Sequence, residues 1–511
     1  MAIDGILNCG HRRGERFHHR VVKMNFKELC PARLVVASNR SPYTFRQIGR
    51  SMKAERAIGG LVAAVEPALC FLGGIWIGWS GRPQHQPERM AVPPDDPKYE
   101  LQFVALSNDE INRYYEGFAN GALWPLCHYA LDKCDFSREH WQVYAAVNQK
   151  FAAAILQELR PQDVVWIHDY HLALVPQFVR TGAPGVRIAY FWHIPFPSVD
   201  LFRALPWRRD VLRGLLNSDL IGFHTETYVR NFLDCAETIL NVPVDRERGL
   251  VTLGNRAVKV RALPLGIDVA YCQQLASSPE MQAKAETIRR ALKSEIVALG
   301  VERLDYTKGI LERMWAVERL LEKYPDLRHR FSLLQIAAPS RTKVSEYRRL
   351  KRLVDETIGR INGRFAQLDW APITYFYKAI PRAELTAYYQ AADMALVIPL
   401  RDGMNLVAKE YVASRTNDEG IIILSEFAGV AEEFEQEAIL VNPFDIEQVA
   451  EAIKQAIDME PSERRQRMHR LREKVKRHDL TWWLRRILRE IASLSESRVV
   501  VESNVMRHRA P

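Results

Sequence analysis

The chain has 511 residues, 47% of them hydrophobic and 26% charged, with a net charge of +9. That length exceeds what one hydrophobic core holds and predicts two or three domains; no apolar run reaches the roughly 18–20 residues that span a bilayer. The seven cysteines are scattered without a C-x-x-C pair, which argues against a disulfide framework or a zinc site and for reduced thiols in a cytoplasm.

The basic excess sits largely at the ends, in "HRRGERFHHRVVK" at 11–23 and "ERRQRMHRLREKVKRH" at 463–478. The first lacks the apolar segment of a secretory signal. It reads as part of a disordered extension, 1–32, rather than a nucleic-acid arm. The second mixes both signs and reads as a solvated helix face. Neither a nucleic-acid nor a membrane partner is expected.

From Arg33 onward, strand-length apolar runs follow one another: "RLVVASN", "GIWIGW", "DVVWIHD", "RIAYFWH" and "DLIGFHT". A second series runs from "EIVALGVERLD" through "FSLLQIA", "ITYFYKAI", "MALVIPL" and "GIIILSE" to "AILVNP". Helical patterns such as "SREHWQVYAAVNQKFAAAILQELR" and "KGILERMWAVERLLEKYP" separate most of them. Strands buried on both faces and alternating with helices predict parallel, doubly wound sheets. The series meet near "PLGIDVAYCQQ", so an α/β fold of two facing Rossmann-like domains is expected, 33–266 and 267–478. The amphipathic "LTWWLRRILREIASL" predicts a helix over 479–496 that packs across both domains, followed by a tail, 497–511. The site belongs in the cleft at the carboxyl ends of both sheets.

There is no G-x-G-x-x-G, no P-loop and no D-x-D, so dehydrogenase, P-loop and metal–diphosphate readings lose their main support. His168 and His171 in "HDYH" lack a third ligand nearby, and no metal is expected. Without a metal, a diphosphate needs fixed cations, and "VERLDYTKG" offers Arg303 and Lys308 after a buried strand. In "PLRDGMNLVAKEY" an apolar strand stops at Asp402–Gly403 and a helix begins. The free N–H groups of Met404, Asn405, Leu406 and Val407 favour an anion there. Asp402 and Glu410 flank it and would repel it unless they bind hydroxyls, which points to a nucleotide sugar. Arg40 in "SNRSPY" and the pair Gly59–Gly60 mark a second place where backbone and cation can meet a phosphate.

The ordered set "SNR", "IGGL", "GWSG", "YYEGFANGALWPLCHY", "WIHDYHL", "HIPFPS", "VERLDYTKG", "APSR", "GRINGRF" and "RDGMNLVAKEY" resembles the trehalose-6-phosphate synthases, from about Arg33 to Pro443. The resemblance implies the GT-B fold. It implies that Arg303 and Lys308 hold a donor diphosphate, with Gly60 near its phosphates. Glu410 would grip ribose, Asp402 the transferred glucose with the Met404–Val407 backbone beside it, and His193 the same glucose. It places an acceptor, glucose 6-phosphate, against Arg40, Trp79, Tyr115, Trp124, Asp169 and Arg341. Tyr115 and Trp124 stand nine apart in a helical pattern and would also suit a core; the small and polar residues around them favour a cleft. The implied reaction retains configuration without a protein nucleophile, with His193, Arg303, Lys308 and Asp402 acting by position and charge. UDP-glucose is the expected donor, although no residue separates UDP from GDP or ADP. A glucosylglycerol-phosphate synthase and a non-catalytic sugar-phosphate sensor are the alternatives. No cofactor is expected, and a homo-oligomer is left open.

Overall fold

The computed structural model describes residues 32–48, 51–56, 60–84, 87–94, 96–342 and 344–507, with the backbone path alone over 45–48, 51–55 and 495–507. Nearly all of the expected 1–32 extension, and Gly59, lie outside the described residues. In the first half, seven parallel strands lie in the spatial order Arg256–Ala262, Leu220–Phe223, Arg187–Phe191, Val164–His168, Leu34–Arg40, Gly74–Trp79 and Tyr99–Phe103. Antiparallel strands close its edges, Val244–Asp245 with Leu250–Leu253 on one side and Arg89–Val92 on the other. The second sheet has six parallel strands: Ile373–Phe376, Phe331–Ala338, Ile296–Arg303, Met394–Val397, Ile421–Ser425 and Ile439–Val441. Their residues are apolar on both faces because helices cover both sides.

Each sheet reverses its winding once. In the first the reversal falls between Leu34–Arg40 and Val164–His168, in the second between Ile296–Arg303 and Met394–Val397. At such a point successive connections leave in opposite directions and open a crevice beyond the strand ends. Arg40 and Arg303 are the last residues of their strands rather than loop residues, and both stand at a reversal. Asp169 and Asp402 follow the partner strands.

The chain crosses between the halves twice, side by side. Leu265 packs with the first sheet and Ile267 with the second. On the return, Val475 packs with the second sheet and Leu480 with the first. Leu480 N donates to Ile267 O over 2.9 Å, and a Cβ on Gly266 would stand 2.3 Å from the Asp479 carbonyl carbon. The last helix, Leu480–Arg507, lays Trp483, Leu484, Ile487 and Ile491 onto the first sheet's core. It continues through most of the segment expected to be a tail. Among the described residues no helix is long and apolar enough to cross a membrane.

Candidate active site

The loops at the second sheet's reversal are stitched together. Leu400 N donates to Thr307 O over 2.8 Å, and Gly309, at φ +62°, comes so close that a Cβ would stand 2.1 Å from Ile398 O. This brings Lys308 Nζ to 2.6 Å from Asp402 Oδ2. Burial alone would raise the Asp402 carboxyl; the Lys308 ammonium holds it below its usual range. Asn405 Nδ2 donates to the same oxygen over 3.0 Å. Arg303 is exposed above the crevice, its guanidinium 5.7 Å from the Trp124 ring.

The helix of the "RDGMN" motif is Leu406–Ser414, so Met404 precedes it and Asn405 caps it. Asn405 adopts φ +77°, and its Oδ1 accepts from Ala408 N over 3.0 Å. The expected row of four free N–H groups therefore narrows, within the helix itself, to its first residues, Leu406 and Val407. The two acids are not left beside an anion site unpaired. Asp402 pairs with Lys308, and Glu410 Oε1 lies 2.8 Å from Arg382 Nη2. Tyr389 OH donates to the other Glu410 oxygen over 3.1 Å. Sequence reasoning missed Arg382, because nothing in "IPRAEL" announces a partner 28 residues away.

The first domain closes this crevice from above. Gly60 opens the helix Gly60–Leu72, and a Cβ there would stand 2.7 Å from Leu406 Cδ1. A Cβ on Gly403 would stand 2.2 Å from His193 O, and Tyr228 OH donates to Asp402 O over 2.9 Å. His193 and Asp169 face the crevice together. Asp169 adopts φ +74°, and its Oδ1 accepts from Tyr170 N and His193 N over 3.0 and 3.2 Å. Burial pushes its carboxyl up to about 6 against the pull of those N–H groups, Arg303 and Arg341. Burial pushes His193 down to about 3, so its imidazole is neutral.

One cavity of about 740 Å³ gathers Gly60, Asp169, His193, Arg303, Lys308, Asp402, Met404, Asn405, Leu406, Val407 and Glu410. All ten donor-side candidates line it. Of the acceptor-side candidates only Asp169 does. The others form an adjoining group built on an unexpected backbone. Ile111–Leu123 is a π-helix, closed by Trp124 N donating to Ala119 O. Nine residues make roughly two turns of this i→i+5 winding but two and a half of an α-helix, so Tyr115 and Trp124 share a face. An aromatic row results: Tyr115 stacks on His171 at 5.7 Å, His171 lies 3.9 Å from Tyr170, and Tyr170 lies 5.9 Å from Trp124. Trp124 and Trp79 are buried and Tyr115 half-buried, so the expectation of an open cleft face fits only Tyr115.

The two arginines differ. Arg40 is exposed, its guanidinium 4.1 Å from the Trp79 ring and 5.3 Å from the Tyr115 ring. The Arg341 side chain is buried, on a backbone at φ +44°, with its guanidinium 4.2 Å from the Trp124 ring. Asp305 Oδ2 lies 3.3 Å from its Nη1, Tyr347 OH bonds the same nitrogen, and its Nη2 donates to Tyr170 OH over 3.4 Å. Burial first, then the charges of Arg341 and Arg40, keep His171 well below its usual value, so both cations bear on one end of the row. Asp305, Tyr347 and Tyr170 were not singled out from sequence; the buried Asp of "RLDYTKG" was the one available signal.

Two Rossmann-like sheets face each other across a cavity lined by Arg303, Lys308 and Arg382, the arrangement of a two-lobed α/β fold with its site at the carboxyl ends of both sheets. The chain belongs to glycosyltransferase family 20, whose family model matches residues 32–493. It is 40% identical over 486 residues to the bifunctional trehalose-6-phosphate synthase/phosphatase of Thermoproteus tenax, covering 92% of this chain and 65% of that protein. It is 41% identical over 472 residues to the trehalose-6-phosphate synthase of Mycolicibacterium smegmatis, covering 91% and 93%. Among solved structures, the UDP-forming alpha,alpha-trehalose-phosphate synthase of Burkholderia xenovorans in complex with glucose-6-phosphate superposes with a TM-score of 0.83 at 36% identity, covering 90% of this chain and 100% of that one. The GT-B fold follows.

Proposed function

We propose that the protein transfers glucose from UDP-glucose to glucose 6-phosphate with retention, forming α,α-trehalose 6-phosphate. The observation that carries this reading is the single cavity that collects Arg303, Lys308, the Leu406–Ser414 helix start and Glu410 beside His193 and Asp169. A pyrophosphate set against Arg303, Lys308 and that helix start has its charge compensated at both ends. Glu410, held from behind by Arg382 and Tyr389, offers its remaining lone pairs to ribose hydroxyls. Asp402 and His193 face the glucose. Glucose 6-phosphate enters beside the aromatic row, its phosphate toward Arg40 and Arg341 and its hydroxyls toward Asp169. The name of the Burkholderia relative, UDP-forming and in complex with glucose-6-phosphate, supports the same donor and acceptor, and the Mycolicibacterium name supports the same product.

The bond from glucose C1 to the diphosphate oxygen breaks, and the acceptor's anomeric hydroxyl oxygen bonds C1 from the same face. Its proton passes to the departing phosphate oxygen. Side chains act by position and charge. No metal is required in this reading, because Lys308 and Arg303 supply the positive charge.

The test is a donor panel. UDP-, GDP- and ADP-glucose are each offered with glucose 6-phosphate, and the product is read by ¹H NMR. UDP-glucose should turn over fastest and yield the α,α-1,1 linkage. A β-linked product would remove the retaining mechanism.

A further inference from the structure

Behind His193 lies a second, fully buried histidine. His168 ends the strand Val164–His168 and has no exposed surface. Its Nδ1 lies 3.1 Å from His193 Nε2, and the ring centroids are 5.3 Å apart with the planes inclined at 28°. Burial keeps both imidazoles well below their usual value, so each carries a single N–H. One of the two must donate to the other, and the direction sets whether the remaining His193 nitrogen, Nδ1, meets a ligand as a donor or as an acceptor.

The surroundings of His168 decide between them. Its Nε2 is buried with no protein partner among the described residues. The neighbouring Trp166 ring, 4.6 Å away, also buries its Nε1 without one. An indole nitrogen can only donate. If His193 Nε2–H donated to His168 Nδ1, the His168 proton would sit on Nε2. Two unpaired N–H groups would then share one buried layer with no acceptor between them. If His168 Nδ1–H donates instead, Nε2 is a bare lone pair, and the layer holds one donor and one acceptor.

We infer that His168 is a positioning residue that donates from Nδ1 to His193 Nε2, so that His193 meets the donor sugar as an Nδ1–H donor. This rests on the proposed reading of His193 as a contact to the transferred glucose. It adds a tautomer, a direction for the hydrogen bond and the residue that imposes both. His193 N is tied in turn to Asp169 Oδ1 over 3.2 Å, so backbone and ring are fixed from one strand end.

The tautomer is measured directly by ¹⁵N-histidine NMR of the full chain without substrates. Wild-type His193 should show a protonated Nδ1 and a bare Nε2. A protonated Nε2 in wild type overturns the inference whatever the enzyme's substrates prove to be. His168→Asn places an amide N–H near the position of Nδ1, and His168→Leu removes the donor. The Leu variant should let His193 revert to Nε2–H and lower kcat by up to about tenfold, one hydrogen bond's worth, with UDP affinity unchanged. The Asn variant should keep both the tautomer and most of the rate. Equal losses in Asn and Leu variants, with the wild-type tautomer retained in both, would mean that His168 only fills space. If the wild-type tautomer is as inferred but UDP-glucose is not turned over, the positioning stands and the substrate reading fails.

Discussion

Lys308 Nζ lies 2.6 Å from Asp402 Oδ2, and the two residues come from loops on opposite sides of the second sheet's reversal. The contact explains how an aspartate can sit beside an anion site. Its charge is already balanced, and the pair presents a fixed dipole to whatever enters. The same ammonium can turn to a phosphate while Asn405 retains Asp402.

Truncating Lys308 should therefore do two things. It removes a cation from the proposed diphosphate and leaves Asp402 buried without its partner. Lys308→Ala is expected to lose about 2–5 kcal/mol of transition-state stabilisation in kcat/KM. The double variant with Asp402→Asn should lose less than the sum of the two single losses. Strict additivity would mean that the pair does not act as a unit.

Asp169 predicts an acid limb. Its carboxyl is raised by burial to about 6, and in the proposed reading it must be ionised to accept hydrogen bonds from the sugar hydroxyls, so kcat/KM for glucose 6-phosphate should fall as pH drops through about 6. Stability has the opposite sign. The folded chain binds this proton more tightly than the unfolded one. That contribution is full below the ordinary value of about 3.9 and is lost as pH rises through about 6. Asp169→Asn should be much less active at pH 7, should lack the acid limb, and should melt no lower than wild type there. A lower Tm with the acid limb unchanged would assign Asp169 to structure instead.

Gly403 meets the first domain's backbone, where a Cβ would stand 2.2 Å from His193 O. Gly403→Ala should push the Asp402 loop away from His193. A displacement of about 1 Å can cost roughly 100-fold in rate. The expected result is a loss of that size in kcat with unchanged far-UV circular dichroism. Full activity would show that the close approach is not used in turnover.

Fixed cations in place of a metal predict that activity survives EDTA. Loss of activity with chelator, restored by magnesium, would contradict the roles given to Arg303 and Lys308.

Much of this arrangement could be read from the residues. Strands such as "IVALGV" and "GIIIL" are apolar on both faces, and helices separate them, so both parallel sheets were legible. Tyr99–Phe103 and Arg256–Ala262 were not, because they lie nearer the sheet edges and alternate buried with half-buried residues. Eight of the ten donor-side residues cluster in two motifs at the ends of neighbouring strands, and Gly60 and His193 meet them from the first domain, so all ten reach one cavity. The π-helix was invisible: its winding leaves no compositional trace, and α-helical spacing puts Tyr115 and Trp124 on opposite faces. Arg382, Asp305 and Tyr170 escaped notice because their roles come from partners far along the chain. Glu410 looked unpaired in sequence for the same reason.

The central claim is the acceptor. Arg40 and Arg341 could hold the phosphate of glucose 6-phosphate or of glycerol 3-phosphate, so neither arginine separates the two. The row from Tyr115 to Trp124 and the Asp169 carboxylate must do so. Glycerol 3-phosphate is too short to reach them with its phosphate between the arginines, and buried polar groups left unpaired can cost several orders of magnitude in kcat/KM. Arg341→Ala should raise KM for the acceptor far more than for the nucleotide sugar. The most direct measurement offers both acceptors at equal concentration with UDP-glucose and follows UDP release. The account predicts rapid turnover with glucose 6-phosphate and almost none with glycerol 3-phosphate; comparable turnover with both, or none with either, would contradict it.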